Sequence, residues 1–201
     1  MSGGRLGVYG GSFDPVHWGH LHVALLAREA AGLDEVLFVP ASRPPHKPDR
    51  DLSAPEHRLA MLRAALAAEP RTAISALELE AGGPRYTVDT LARIRSERPG
   101  VELHFILGQD SLRDLPQWRE PERILAENRV IAVNRPGLDP GTVAPELASR
   151  VLMVGGNPFA ISASEVRRRA AAGLAIHHLV PEPVAVYISK HGLYREPAPG
   201  D

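Results

Sequence analysis

The chain has 201 residues, 23 basic against 24 acidic, with a formal net charge of -1; that length fits one mid-sized domain, and the charge balance argues against a general polyanion binder or a membrane-surface protein. Cysteine is absent, which excludes a disulfide framework, thiolate zinc ligands and a cysteine nucleophile, and fits a reducing, cytoplasmic address. No stretch reaches the ~18 uninterrupted apolar residues of a spanning helix, and the opening residues lack the apolar core of a signal segment.

Short apolar or β-branched runs alternate with longer stretches whose apolar residues recur every three and four positions. Leu6 to Tyr9 reads as a first strand and Gly19 to Ala31 as a helix. A strand at Val36 to Val39 precedes a helix at Pro55 to Ala68, and Thr72 to Ile74 precedes one at Thr87 to Ser96. The pattern continues with strands at Leu103 to Leu107, Val130 to Val133 and Val151 to Val154, a helix at Glu120 to Glu127, and two closing helices at Ser164 to Ala172 and Pro183 to Lys190. Strands alternating with helices predict an α/β fold: a Rossmann-like, doubly wound, mainly parallel sheet with helices on both faces, ligands binding beyond the carboxyl ends of the strands.

Three loops are long or proline-rich: Pro40 to Ala54, Glu78 to Tyr86 and Asn134 to Arg150. The third holds little but turn formers and is expected to be plain surface, and the tail from residue 196 is expected to fray.

The string VYGGSFDPVHWGHL, residues 8–21, puts two glycines after the first strand and two histidines, three apart, at a helix entrance. Glycines there are expected to leave backbone N–H groups open to a phosphate, as in an anion-binding nest, and the helix N-terminus adds donors and partial positive charge. Neither GxGxxG nor Walker A spacing is present. His17, His20 and His22 invite a metal reading, but the usual third ligand is missing and the positive helix end opposes a cation. Asp14 and Pro15 read as turn formers, and Trp18 as a packing residue.

GGSFDPVHWGH is similar to the signature of the nucleotidyltransferase superfamily whose hallmark is a His/Thr-x-Gly-His element. The resemblance implies a Rossmann-like fold that binds ATP, both histidines holding its phosphates while an acceptor phosphate attacks the α-phosphorus and pyrophosphate leaves. NPFAISASEVRRR, residues 157–169, offers Ser162 or Ser164 as a helix N-cap and resembles the superfamily's second signature, in which the helix start and an arginine hold the β and γ phosphates. Ile161, Ser162, Ser164, Val166 and Arg167 map onto that signature, Ala163 stands where a hydroxyl residue is common, and Arg168 and Arg169 read as a solvated face.

Three further strings resemble the bacterial nicotinate-nucleotide adenylyltransferases. RPPHK places Lys47 where that family's lysine meets phosphate. RYTVDTL places Tyr86 and Thr87 where backbone N–H groups receive the nicotinate carboxylate, although Ala81 and Gly82 stand where relatives carry an arginine that Arg85 would replace. LGQDSLRDLPQW places Gly108 and Asp110 at the nucleotide and Trp118 against the pyridine ring. APEHRLAML at 54–62 and LVPEPVAVYISKHGLY at 179–194 extend the likeness over nearly the whole chain and read as structural.

The resemblance thus implies one domain, with His17, His20, Lys47 and Arg167 as catalytic groups. Gly10, Gly11, Ser12, Phe13, Gly108, Asp110, Ile161, Ser162 and Ser164 join the histidines and Arg167 around ATP, and Lys47, Tyr86, Thr87 and Trp118 hold the acceptor. The implied ligands are ATP and nicotinate mononucleotide, with Mg2+ carried on ATP and no protein metal site; nucleic acid and membrane are not expected, and the resemblance leaves room for a homo-oligomer. Two other readings stand beside this one: nicotinamide mononucleotide or another phosphorylated acceptor, and a non-catalytic nucleotide-binding module.

Overall fold

The computed structural model describes residues 4–42, 52–80, 83, 86–134, 143–156 and 159–195. In chain order these form β1 (Arg5–Gly11), α1 (Trp18–Ala31), β2 (Glu35–Pro40), α2 (Pro55–Leu66), β3 (Thr72–Ile74), α3 (Thr87–Glu97), β4 (Glu102–Gly108), α4 (Gln109–Asp114), α5 (Pro121–Glu127), β5 (Arg129–Val133), α6 (Pro145–Ala148), β6 (Leu152–Val154), α7 (Ala163–Ala171) and α8 (Glu182–Lys190). A 3-10 turn at Leu115–Gln117 separates α4 from α5.

The six strands form one sheet in the order β3-β2-β1-β4-β5-β6, and every pairing is parallel. Side chains alternate across it with period two. Leu6, Val8, Leu37, Val39, Phe105 and Leu107 point to a core that includes Val88, Leu91 and Ile94 of α3, Leu112 of α4 and Ile124 of α5. Tyr9, Val36, Phe38, Ile106 and Ile131 point to the other core, closed by residues of α1, α2, α7 and α8 such as Val23, Met61, Val166 and Val184. Two apolar faces need two helical layers, which is why the strands read as continuous apolar runs.

The order reverses between β1 and β4, and at such a switch point the loops leaving neighbouring strands part to open a crevice at their carboxyl ends. Gly10 and Gly11 close β1 and Gly108 closes β4 on that edge.

Two local expectations are corrected, and one element is added. The loop Asn134 to Arg150 is not plain surface: its described part contains α6, and Val143 is buried within the second core. A short helix, α4, follows β4 in a stretch to which the sequence pattern assigned no element. Trp18 does not pack away; it is 39 % exposed at the first turn of α1. The expected fraying from residue 196 lies outside the described residues. Among the described residues no helix is long and apolar enough to cross a membrane.

Candidate active site

The first wall of the crevice is the turn between β1 and α1. Gly10 and Gly11 are extended strand residues paired with Val39 and Pro40, and neither has a positive φ. Their reasons for being glycine differ. A Cβ on Gly10 would meet nothing within 4 Å, whereas one on Gly11 would lie 3.0 Å from the Phe13 ring. Gly10 therefore leaves open space at the strand end, and Gly11 makes room for the protein's own aromatic.

Phe13 is fully buried with a positive φ of 45°, a backbone conformation that costs roughly 1–3 kcal/mol in a non-glycine residue. Its ring packs 5.6 Å from those of Tyr9 and Phe38 and edge-on to His20 at 5.1 Å, and this burial offsets the strain. The Phe13 ring is thus taken up by packing. The turn also contains a cis Asp14–Pro15 bond.

His17 is the N-cap of α1 and its N–H donates to Nδ1 of His20 at 3.3 Å. The two rings stack at 3.7 Å with 23° between their planes. His17 is 1 % exposed while His20 is half-buried, so His20 presents the open ring and His17 the covered one. Gly19 allows this: a Cβ there would approach Nδ1 of His17 to 3.0 Å and the carbonyl of Ile161 to 3.6 Å.

That proximity to Ile161 brings in the second wall. Ser162 is the N-cap of α7, its Oγ accepting the Glu165 N–H at 3.2 Å; of the two candidate caps, the structure selects Ser162. Ser164 instead accepts from Nη2 of Arg167 at 3.3 Å, and Nη1 of Arg167 donates to the Asp14 carbonyl at 2.6 Å. One guanidinium thus joins the two motifs. Arg168 forms a forked pair with Glu165 at 2.7 and 2.8 Å and Arg169 donates to the Ala175 carbonyl, as befits a solvated face.

On the acceptor side, Tyr86 caps the N-terminus of α3, where the first-turn N–H groups lack helical acceptors and favour an anion. Arg119 lies over the Tyr86 ring, 4.7 Å from its centroid, a cation–π contact that nothing in the local sequence announced. Next to it, Trp118 is partly buried against the second core, 6.2 Å from Phe105. Gly108 caps α4, and a Cβ there would also meet nothing within 4 Å. Asp110 sits in the first turn of that helix. Lys47 and Arg85, like Ala81 and Gly82, lie outside the described residues.

Three residues in stretches read as structural or as turn reach the site. Arg58 is 1 % exposed and, among the described residues, hydrogen-bonds to backbone carbonyls; burial lowers its pKa against the raising influence of Asp14. Asp14, also 1 % exposed, accepts from the Tyr194 hydroxyl at 2.7 Å and from the Ser53 N–H at 3.2 Å. Burial first, and then Asp14, push the Tyr194 hydroxyl pKa upward. The signal for Arg58 was present: it occupies the apolar stripe of α2 with Met61, Leu62 and Ala65, and an arginine at such a position is buried only with its donors satisfied.

A crevice at the switch point, glycines at two strand ends and an arginine joining the β1–α1 turn to the start of α7 define a nucleotide-binding α/β protein. A cytidylyltransferase-like family model matches residues 8–169, both walls included. A protein of Thermomicrobium roseum named "Probable nicotinate-nucleotide adenylyltransferase" is 47% identical to this chain, over 95% of this chain and 92% of that protein. A protein of the same name from Thermus thermophilus is 45% identical over 95% and 100%. The chain belongs to the nicotinate-nucleotide adenylyltransferase family. In fold it is similar to the Plasmodium falciparum nicotinic acid mononucleotide adenylyltransferase solved with NaAD, with a TM-score of 0.77 and 22% identity over 95% of this chain and 97% of that one.

Proposed function

We propose that the chain transfers AMP from ATP to nicotinate mononucleotide, giving nicotinate adenine dinucleotide and pyrophosphate, as a cytoplasmic step of NAD biosynthesis in a single domain. The acceptor phosphate oxygen forms a bond to the α-phosphorus while the bond to the β-phosphate oxygen breaks and leaves as pyrophosphate. That acceptor is largely ionised at neutral pH, so no general base is required, and catalysis reduces to alignment and charge stabilisation.

The observation that carries this reading is the bridge from Arg167 to the Asp14 carbonyl and to Ser164. It joins the histidine turn to the α7 start, and the imidazole, guanidinium and helix-end N–H donors of those two segments suit a triphosphate. His20, backed by His17 and Phe13, faces charge on the α- and β-phosphates, and Arg167 with the α7 N-terminus receives the leaving pyrophosphate. The open strand ends at Gly10 and Gly108 admit the nucleotide backbone. Lys47 neutralises the reacting phosphates, the α3 start at Tyr86 and Thr87 receives the nicotinate carboxylate, and Trp118 stacks on the pyridine ring.

Among the described residues no group of three or more His, Cys, Asp or Glu stands together as a metal site, and the donors around the proposed triphosphate space are imidazole, guanidinium, hydroxyl and N–H. Such a set suits anions, so Mg2+ fits as an ion held by ATP's own oxygens, where it would neutralise phosphate charge.

The test is turnover of purified protein with ATP, Mg2+ and either nicotinate or nicotinamide mononucleotide. Formation of the dinucleotide with the acid in clear preference to the amide is expected. Equal use of both would remove the assignment of the α3 start to the carboxylate, and no pyrophosphate with either would leave a binding module.

A further inference from the structure

Among the described residues Arg58 is the largest fully buried side chain, and the carboxylate of Asp14 is buried to the same degree. Its Nε donates to the Ser53 carbonyl at 3.0 Å, Nη1 to the carbonyls of Ser12 at 3.0 Å and Ala41 at 2.7 Å, and Nη2 to that of Ser42 at 3.4 Å. Ser12 follows β1, Ala41 and Ser42 follow β2, and Ser53 precedes α2, so one planar fork holds three segments that the chain separates.

The same residues are also held through their N–H groups. The Ser53 N–H donates to Asp14 Oδ2 at 3.2 Å and the Ala41 N–H to the Gly11 carbonyl at 2.8 Å. The Ser42 backbone also hydrogen-bonds Glu78, which accepts the Thr90 hydroxyl of α3 at 2.6 Å. Residues 41 and 42 on one side and 53 on the other are therefore tied to the turn that carries the phosphate-binding motif, and Lys47 lies between them in sequence. A core needing only stability would hold an apolar residue here, since a buried cation gains little over a well-packed hydrocarbon. A guanidinium is needed where several carbonyls must keep fixed mutual positions, because its five donors lie in one rigid plane.

We propose that Arg58, with Asp14 as its counterpart, is a positioning residue that sets the exit of β2 at Ala41 and Ser42 and the entrance of α2 at Ser53, the two ends between which Lys47 lies in sequence, against the phosphate-binding turn, and so governs use of the acceptor. This rests on the substrates proposed above. ATP contacts the turn itself, which Arg167 and Tyr194 also hold through Asp14, whereas three of the carbonyls on Arg58 belong to those two ends.

The test is Arg58→Lys, which keeps the charge beside Asp14 and loses the fork, with Asp14→Asn as the second variant. Kinetics should show kcat/KM for nicotinate mononucleotide falling roughly 10- to 100-fold, the scale of a small misplacement of reactants, while KM for ATP moves less than about threefold. Hydrogen exchange on the substrate-free protein should show the Ala41 and Ser53 amides accelerating together in both variants, with β5 unchanged. Equal rises in both KM values, or amides at 41 and 53 that keep wild-type protection, would overturn the role. If the wild type forms no dinucleotide, the substrate reading is what has failed, and the exchange measurement alone decides: joint acceleration keeps Arg58 as the tie between the segments, and unchanged amides reject it.

Discussion

Arg167 donates to the carbonyl oxygen of Asp14 at 2.6 Å across 153 residues of chain. Its other arm reaches Ser164 Oγ at 3.3 Å, so the group is aimed by two contacts before any ligand arrives. A lysine carries the charge but has one nitrogen in place of the fork. We expect Arg167→Lys to lower kcat with saturating substrates by roughly 100-fold, the usual effect of losing a preorganised charge-stabilising donor, with little change in melting temperature. Pyrophosphate release measures it, and a variant within about threefold of wild type would remove Arg167 from the leaving-group site.

The two open glycines separate ligand space from packing space. At Gly10 φ is not positive and a Cβ meets nothing within 4 Å, so Gly10→Ala should leave stability unchanged or raise it by about 0.4–1 kcal/mol through the unfolded chain. If the space belongs to ATP, KM for ATP should nevertheless rise about tenfold, the effect of roughly 1.4 kcal/mol of lost binding. Gly7 is the control within the same strand: a Cβ there would lie 2.7 Å from Leu33 Cδ1 and 2.8 Å from Ile106 Cδ1, both in the core. Gly7→Ala should cost about 1–3 kcal/mol of stability by overpacking and leave both KM values alone. Denaturant unfolding beside steady-state kinetics reads both outcomes.

The fold was legible because a parallel sheet covered on both faces writes each strand as a short apolar run, and Val36 to Val39 or Val130 to Val133 have no other reading between helical stretches. What was not legible is short: α4 and α6 are too brief to show a helical period. The site divides along the same line. The histidine turn and the serine–arginine helix start are local strings, so sequence exposes them. Asp14 with Ser53, Arg58 with Ser12 and Tyr194 with Asp14 are 39, 46 and 180 residues apart, and only the folded sheet brings such partners together. Phe13 and Gly11 also carry packing that the motif did not announce: the Phe13 ring is buried and a Cβ on Gly11 would lie 3.0 Å from it.

Glu78 makes stability depend on pH in a direction opposite to that of a surface carboxylate. Burial raises its pKa above the ordinary 4.5, against the lowering effect of its bonds from Thr90 and the Ser42 backbone. The folded protein therefore binds this proton more tightly than the unfolded chain, and its contribution to stability falls as pH rises from 4.5 through the folded pKa. Glu78→Gln removes the titration and keeps an oxygen to accept from Thr90. The stability of wild type relative to Glu78→Gln should decline across that window and level off above it. Unfolding curves for the pair from acid to neutral pH check the sign, and a difference that grows with pH would show that the carboxylate is favoured in the fold.

Tyr86, Arg119 and Trp118 should act on the acceptor alone. Arg119 covers the Tyr86 ring at 4.7 Å, and an exposed contact of this kind contributes about 0.5–1 kcal/mol. If that contact holds the α3 start in place, Arg119→Ala should raise KM for nicotinate mononucleotide about two- to fivefold. Trp118 has one side on the second core near Phe105. Trp118→Phe keeps an aromatic face and should cost little, whereas Trp118→Ala should raise the same KM by about tenfold or more, the order of one lost stacking contact. Trp118→Ala also removes packing, so a drop in melting temperature is expected with it. KM for ATP decides between the two effects: it should stay unchanged if the tryptophan serves the pyridine ring, and rise in parallel if the damage is to the fold.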